Sequence, residues 1–359
     1  MFDKGKRIKG IGLVFAGGGG KGSYEIGVWK YLHEQGLDQY IRCVSGTSVG
    51  ALNAALFVGN SYESAENIWM DINQSKILTP KKITFEDIIR WLISTGVNRK
   101  LPMPYLGKGG MDNFSYGGIG WTDKIIQGIL SKTRKDYMFS REGLTEIISE
   151  GLNFNMIRSS EIPCWVTCVR CPGLKVERFV LNEYSDEEIT KLLLASSAIP
   201  WVFPNEEFHG RKYCDGGIPV VGDNVPASPV YDSGVENIIV VHLNQEEVID
   251  KEMFPGSTII EIVPREDLGT ALTGTMDFSP EGVEKRIQLG YEDTKKVMQP
   301  LIDMILMAVE NQRLLKMAQQ NDLEFEQKRQ RLLEKNLEMK RKMKKDGFEE
   351  IYRKLIREK

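Results

Sequence analysis

The chain has 359 residues, 41% apolar and 27% charged, with a net charge of -3. That length suits one large domain or two small ones, the composition is that of a globular protein, and no bulk positive charge draws it to nucleic acid. Nothing before Ile11 reads as a leader, and no apolar run reaches the ~18–20 residues that cross a bilayer. The expected setting is therefore cytoplasmic, at most peripheral to a membrane.

The first element is an apolar run, Ile11 to Ala16, which reads as a buried strand. Gly17-Gly-Gly-Gly20-Lys21-Gly22 follows, then a helix from Ser23 to about Gln35 with Ile26, Trp29 and Leu32 inward. His33, seven residues after Ile26, is expected on the same inward side as a packed core histidine. The glycine loop admits three readings. A dinucleotide fingerprint needs an acidic residue ending the next strand, and that strand ends in Ser45 instead. A P-loop needs Gly-Lys-Ser/Thr in that order, and here Lys21-Gly22-Ser23 stands. The third reading is an oxyanion hole, built from successive amides free of side chains.

Ile41 to Ser45 is the second strand. It runs into Gly46-Thr-Ser48-Val-Gly50 and a helix from Ala51 to Phe57. Strand, sharp Gly-x-Ser-x-Gly turn and helix is the context of a nucleophile elbow, in which the turn lifts the serine hydroxyl above the following helix start. A plain glycine-rich loop is the bland alternative. The two glycine turns, after adjacent strands, are expected side by side at the carboxyl edge of a parallel sheet.

A helix is expected from Ser61 to about Ile72. Residues 73–121 differ in character, with an amphipathic helix Ile83–Ser94 and a loop rich in Gly, Pro and large apolar residues. This reads as a lid over an apolar cleft or as a packed insertion. Further helices are expected from Thr122 to Lys132 and from Arg141 to Gly151. Strands Pro163–Arg170 and Val176–Leu181 form a hairpin around Cys171-Pro-Gly. A helix capped by Asp186 ends in Ala195-Ser-Ser-Ala-Ile-Pro200, where Ser196 and Ser197 read either as polar site residues or, more simply, as small residues packed closely under a site. The strand Arg211–Cys214 ends in Asp215-Gly-Gly217, where glycines allow φ > 0 and close backbone approach. Asn224-Val-Pro226 reads as a turn lock. Strands Asn237–Leu243 and Thr258–Val263, then a helix Gly282–Met298, complete this part.

The five cysteines are odd in number. Cys164, Cys168 and Cys171 are spaced like metal ligands, but Cys164 and Cys168 share one face of the strand Pro163–Arg170 and no fourth ligand is nearby, so reduced thiols and no metal are expected. From Leu301 to Asp346 the sequence is helical in composition, with an intermittent apolar stripe and the basic cluster Lys340 to Lys345. That extension can face a lipid surface, its own domain or a second copy, leaving room for a homo-oligomer.

A serine nucleophile needs a base. His33, His209 and His242 are the only histidines; Ser48, Asp215 and His242 would follow the hydrolase order, and Asp215 alone is the simpler partner.

Four features in this order resemble the patatin-like phospholipases, a family that includes bacterial-type lipid acyl hydrolases. They are Gly17–Gly22, Gly46–Gly50, Ala195–Pro200, and Asp215-Gly-Gly217 with Asn224-x-Pro226, and they cover roughly residues 11–230. The resemblance implies an α/β, three-layer α/β/α fold with a mostly parallel sheet. Residues 231–300 would complete that domain, and 301–359 would be a charged helical extension. By the same resemblance Ser48 is the nucleophile, Asp215 the base, and the Gly17, Gly18, Gly19 and Gly20 amides the oxyanion hole. Lys21, Gly22, Gly46, Gly50, Gly216 and Gly217 support the motifs. It implies hydrolysis of acyl esters of phospholipids or related lipids, with no cofactor and no metal. Ala16 stands where some members carry aspartate. A transacylase using the same dyad and a non-catalytic lipid-binding protein are the alternatives.

Overall fold

The structure is a computed structural model that describes residues 8–72, 77, 139–200, 202–219, 221–345 and 347–358. The expected lid segment 73–121, apart from Ile77, and the helix expected over 122–132 lie outside the described residues. The chain divides into two compact units, Met1–Val297 and Met298–Lys359.

The first unit is built on a sheet of strands β1 (Ile8–Phe15), β2 (Ile41–Thr47), β3 (Cys164–Cys171), β4 (Lys175–Val180), β5 (Glu206–Phe208), β6 (Arg211–Asp215), β7 (Val235–Val241) and β8 (Thr258–Ile262). β3, β2, β1, β7 and β8 run parallel in that spatial order, while β4, β5 and β6 add antiparallel pairings around β3. The central strands are apolar on both faces because helices cover both. On one side Val14, Cys43, Ile238 and Val240 pack with Ala227 and Val230 of α7 (Ala227–Asp232). Alternation turns Val44 and Gly46 to the other side, where α2 (Val49–Gly59) lies over β1, β2 and β3. This is a three-layer α/β/α arrangement.

The remaining helices are α1 (Ser23–Glu34), α3 (Tyr62–Asp71), α4 (Glu142–Gly151), α5 (Phe154–Ser159), α6 (Asp186–Ser196), α8 (Pro280–Lys345) and α9 (Phe348–Arg357). α6 begins with a capping box, the Ser185 and Glu188 side chains each accepting from the other's backbone N–H.

The register of β3 decides where the site can form. β4 occupies one edge of β3 along Trp165–Arg170. The other edge is shared: β2 pairs with Cys164–Thr167, and β6, running the opposite way, pairs with Cys168–Cys171. The ends of β2 and β6 therefore meet head-on, Thr47 opposite Thr167 and Asp215 opposite Cys168.

Four expectations need correction. The cap of α6 is Ser185, and Asp186, expected as the cap, is the first residue of the helix. His33 is not in the core; it is exposed, its Nδ1 2.6 Å from Asp38 Oδ2 and its ring stacked on Tyr62. Burial on α1 ends one residue earlier, at Leu32. Cys171 and Cys214 are joined in a disulfide rather than reduced, because the β3–β6 pairing brings their Cα atoms to 6.6 Å. Cys43, Cys164 and Cys168 are buried free thiols. The helices expected on either side of Pro300 form one 66-residue helix, α8, which continues through the proline at the loss of one backbone donor.

Candidate active site

Ser48 sits between β2 and α2 with φ 55° and ψ -122°, a conformation a non-glycine residue adopts only when its surroundings force it. The glycines on either side are required by contact. A Cβ on Gly46 would lie 2.0 Å from the Gly50 carbonyl oxygen, and one on Gly50 would lie 2.4 Å from that of Phe15. The tightness read into this turn is thus physical, and it leaves Ser48 as the apex.

Two groups in series hold the apex. The Ser48 amide donates to Ser196 Oγ at 2.9 Å, and that hydroxyl donates onward to the Thr167 carbonyl at 2.7 Å. Ser196 is fully buried, so removing its hydroxyl leaves a donor and an acceptor without partners, at about 1–3 kcal/mol each. Two residues along, the Ala198 carbonyl accepts the Asp215 amide at 2.9 Å, and the Ser196 carbonyl accepts Gly216 N–H at 3.2 Å. One short segment at the end of α6, Ser196 to Ala198, therefore fixes both the elbow and the aspartate loop. Both readings of Ala195–Pro200 apply: the small residues are buried beside the site, Ser196 tethers the elbow through its hydroxyl, and Ser197 lines the cavity beside Ser48.

Asp215 is 5% exposed. Its Oδ1 accepts Gly217 N–H at 2.7 Å, while Oδ2 has no aligned donor among the described residues. Burial pushes its carboxyl up to about 6; the Ser48 hydroxyl, Gly217 N–H and the Arg141 charge hold that rise back. Gly216 and Gly217 do not use the left-handed backbone allowed for them. They are needed for close approach, since a Cβ on Gly216 would meet the Thr167 carbonyl oxygen at 2.3 Å.

The glycine loop after β1 lies beside the elbow, a Cβ on Gly17 coming 3.3 Å from Ser48 Cβ. Its four amides are not equivalent. Gly17 N–H donates to the Asn224 carbonyl at 3.1 Å and is already engaged. Among the described residues the Gly18 and Gly19 amides meet no acceptor, and Gly19 lines the cavity beside Ser48. Gly20 packs against the Asp277 backbone. Lys21 is turned away into a half-buried pocket with Asp267, Glu247 and Arg286, where desolvation lowers its affinity for a proton. Arg286 of α8, 4% exposed, donates to Ser23 Oγ at 3.1 Å and to Asp277 Oδ2 at 3.0 Å, fastening the 275–278 turn over the glycine loop. Nothing in the sequence signalled that arginine.

No histidine joins Ser48 and Asp215. His209 pairs with Glu188 at 2.9 Å on the surface; His242 is buried against Glu261 at 3.0 Å. Ser48 opens onto a cavity walled by Leu52, Leu56, Trp69, Ile148, Phe203 and Phe278. The walls are almost wholly apolar, so the cavity suits a hydrocarbon tail lying beside a hydroxyl nucleophile. Among the described residues no group of His, Cys, Asp or Glu is placed to hold a metal.

Residues 13–231 match the family described as Patatin-like phospholipase. The chain belongs to the patatin-like phospholipase family. Membership implies a lipid acyl hydrolase. No curated protein matches it. Among solved structures, this patatin-like chain is similar to VipD from Legionella pneumophila (16% identity, 82% of this chain and 67% of that one, TM-score 0.45). It is also similar to the type III effector ExoU (15%, 82% and 53%, TM-score 0.40). A third is human GIVD cytosolic phospholipase A2 in complex with methyl gamma-linolenyl fluorophosphonate (9%, 86% and 60%, TM-score 0.40). The chain thus spans between 53% and 67% of these three proteins.

Proposed function

We propose that the chain cleaves fatty-acyl esters of phospholipids or related lipids through Ser48 and Asp215, with an acyl-enzyme intermediate. One observation carries this reading: a buried carboxyl stands at the end of β6, head-on to the strand that leads into a serine held at φ 55°, and that serine lies at the mouth of an apolar cavity. The acyl tail lies along the cavity. Asp215 takes the Ser48 proton as Oγ attacks the ester carbonyl. The Gly18 and Gly19 amides, with the N-terminus of α2, hold the oxyanion. The leaving alcohol or lysophospholipid takes the proton back from Asp215. Asp215 then draws a proton from water, which attacks the acyl-enzyme; as the C–Oγ bond breaks Asp215 passes that proton to Ser48 Oγ, the fatty acid departs and the free enzyme is restored. The test is product analysis on phospholipid in mixed micelles, with and without an added glycerolipid alcohol. Free fatty acid matched by lysophospholipid is expected. Acyl transfer to the added alcohol would make the chain a transacylase, and absence of product would leave a lipid-binding protein.

The same reading gives α9 a partner. Ile351, Tyr352, Leu355 and Ile356 are each more than half exposed and share one face of this helix; Arg353, Lys354 and Arg357 occupy the other, and Lys340–Lys345 precede it. A basic amphipathic helix suits an anionic lipid surface. No helix among the described residues is long and apolar enough to cross a membrane. Sedimentation with phosphatidylcholine vesicles, with and without phosphatidylglycerol, is expected to show binding only to the anionic ones. The double substitution Ile351→Asp, Leu355→Asp should abolish it. Vesicle binding unchanged by that substitution would overturn the assignment, and a dimer that the same substitution dissociates would give the face to a second copy.

A further inference from the structure

Asn224 follows the Asp215 loop in sequence, yet three separate segments converge on it. Its backbone carbonyl accepts Gly17 N–H at 3.1 Å, and its side-chain Nδ2 donates back to the Gly17 carbonyl at 3.2 Å. The same Nδ2 donates to Glu247 Oε1, beyond β7, at 2.6 Å. With two acceptors on the nitrogen side the orientation of the amide is fixed, so Oδ1 must point the other way. There it is wedged between two loops. A Cβ on Gly17 would lie 2.4 Å from Oδ1, and one on Gly217 would lie 2.3 Å from it. Gly17 opens the glycine loop, and Gly217 N–H holds Asp215 Oδ1. Asn224 thus fills the space between the loop that carries the oxyanion amides and the loop that carries the base, and it bonds to the first while bearing on the second. Glu247 Oε2 is buried without a partner, so Oε1 is the oxygen that makes this carboxyl's side-chain hydrogen bond.

We propose that Asn224, oriented by Glu247, is a positioning residue that sets the distance between the Gly18–Gly19 amides and the Ser48–Asp215 pair. The proposal rests on the hydrolase reading above. A displacement of about 1 Å at such a site costs about 100-fold in rate. The separation matters most after Oγ has attacked, when the oxyanion and the protonated Asp215 exist together, so the loss falls on turnover rather than on binding.

The test uses the full chain with a water-soluble p-nitrophenyl ester and a fluorophosphonate. Asn224→Ala is expected to lower kcat by about 100-fold, with KM within about threefold, and to slow fluorophosphonate labelling in proportion. Glu247→Gln retains an oxygen that accepts from Nδ2 and is expected to stay within about threefold of wild type, whereas Glu247→Ala loses it and should fall by about tenfold. The Glu247 pair keeps the proposal testable if Asn224→Ala does not fold. An unchanged kcat in Asn224→Ala, or equal losses in Glu247→Gln and Glu247→Ala, overturns the clamp. Wild-type protein that neither labels nor turns over overturns the hydrolase reading and the clamp with it.

Discussion

Ser48→Ala is expected to abolish ester hydrolysis, by roughly 10⁴- to 10⁶-fold, and to abolish labelling by a fluorophosphonate. The size follows from what the substitution removes and what it leaves. The Ser48 amide still reaches Ser196 Oγ, the elbow glycines are untouched and α2 still starts at Val49, so the oxyanion donors and the cavity remain. Only the nucleophile is lost. A second measurement separates chemistry from strain. Alanine at φ 55° is as strained as serine, whereas glycine is not, so Ser48→Gly should be as inactive as Ser48→Ala yet more stable, by about 1–3 kcal/mol in thermal or denaturant unfolding. Equal stability of the two would mean that the elbow stores no strain. His209→Ala, which removes a surface partner of Glu188, serves as a control and should hydrolyse at the wild-type rate.

What could be read from the sequence was local. The elbow announces itself because strand, glycines, serine and helix lie within a few residues of one another, and the glycine loop and Asp215-Gly-Gly217 do so for the same reason. The contacts that hold these pieces together span the chain. Ser48 and Ser196 are 148 residues apart, Gly17 and Asn224 207, and Ser23 and Arg286 263. No periodicity or spacing carries such pairings. The head-on meeting of β2 and β6 was equally hidden. Asp215 was expected at the end of a strand, as it is, but β6 is antiparallel, so the residue arrives beside β3 from the direction opposite to Ser48. His33 shows the limit of helical spacing, which gives a side but not where burial along that side stops. The Gly17 amide shows the limit of motif transfer. It belongs to the glycine run yet is already bonded to Asn224, and only the structure distinguishes it from Gly18 and Gly19.

Asp215→Asn should be inactive and, above neutrality, more stable than the wild type. An amide cannot accept the Ser48 proton, so the loss of general-base catalysis alone is worth about 10²- to 10⁴-fold. In the wild type the base works only when ionised. With its carboxyl held near 6, kcat/KM is expected to rise with pH through about 6 and to lose about tenfold per unit below it. The stability effect has the opposite sign. Burial raises the carboxyl from 3.8 to about 6 in the folded chain. Below pH 3.8 both folded and unfolded chains carry the proton and the group costs nothing. Between 3.8 and about 6 the unfolded chain has lost a proton that the folded chain keeps, so stability falls as pH rises. Above about 6 the full cost is present, about 3 kcal/mol for a shift of this size. The side-chain amide that Asp215→Asn introduces carries no charge to desolvate, and its oxygen can still accept Gly217 N–H. Unfolding free energies of the two proteins should therefore coincide near pH 3.5 and diverge in favour of the variant by pH 8. A pH–rate profile flat from 5 to 8 would mean that the carboxyl at 215 is not the base, and a variant less stable than wild type at pH 8 would mean that it is not a destabilising buried charge. The two outcomes together test one idea, that the free energy spent on burying Asp215 is what lets a carboxylate take a proton from a serine.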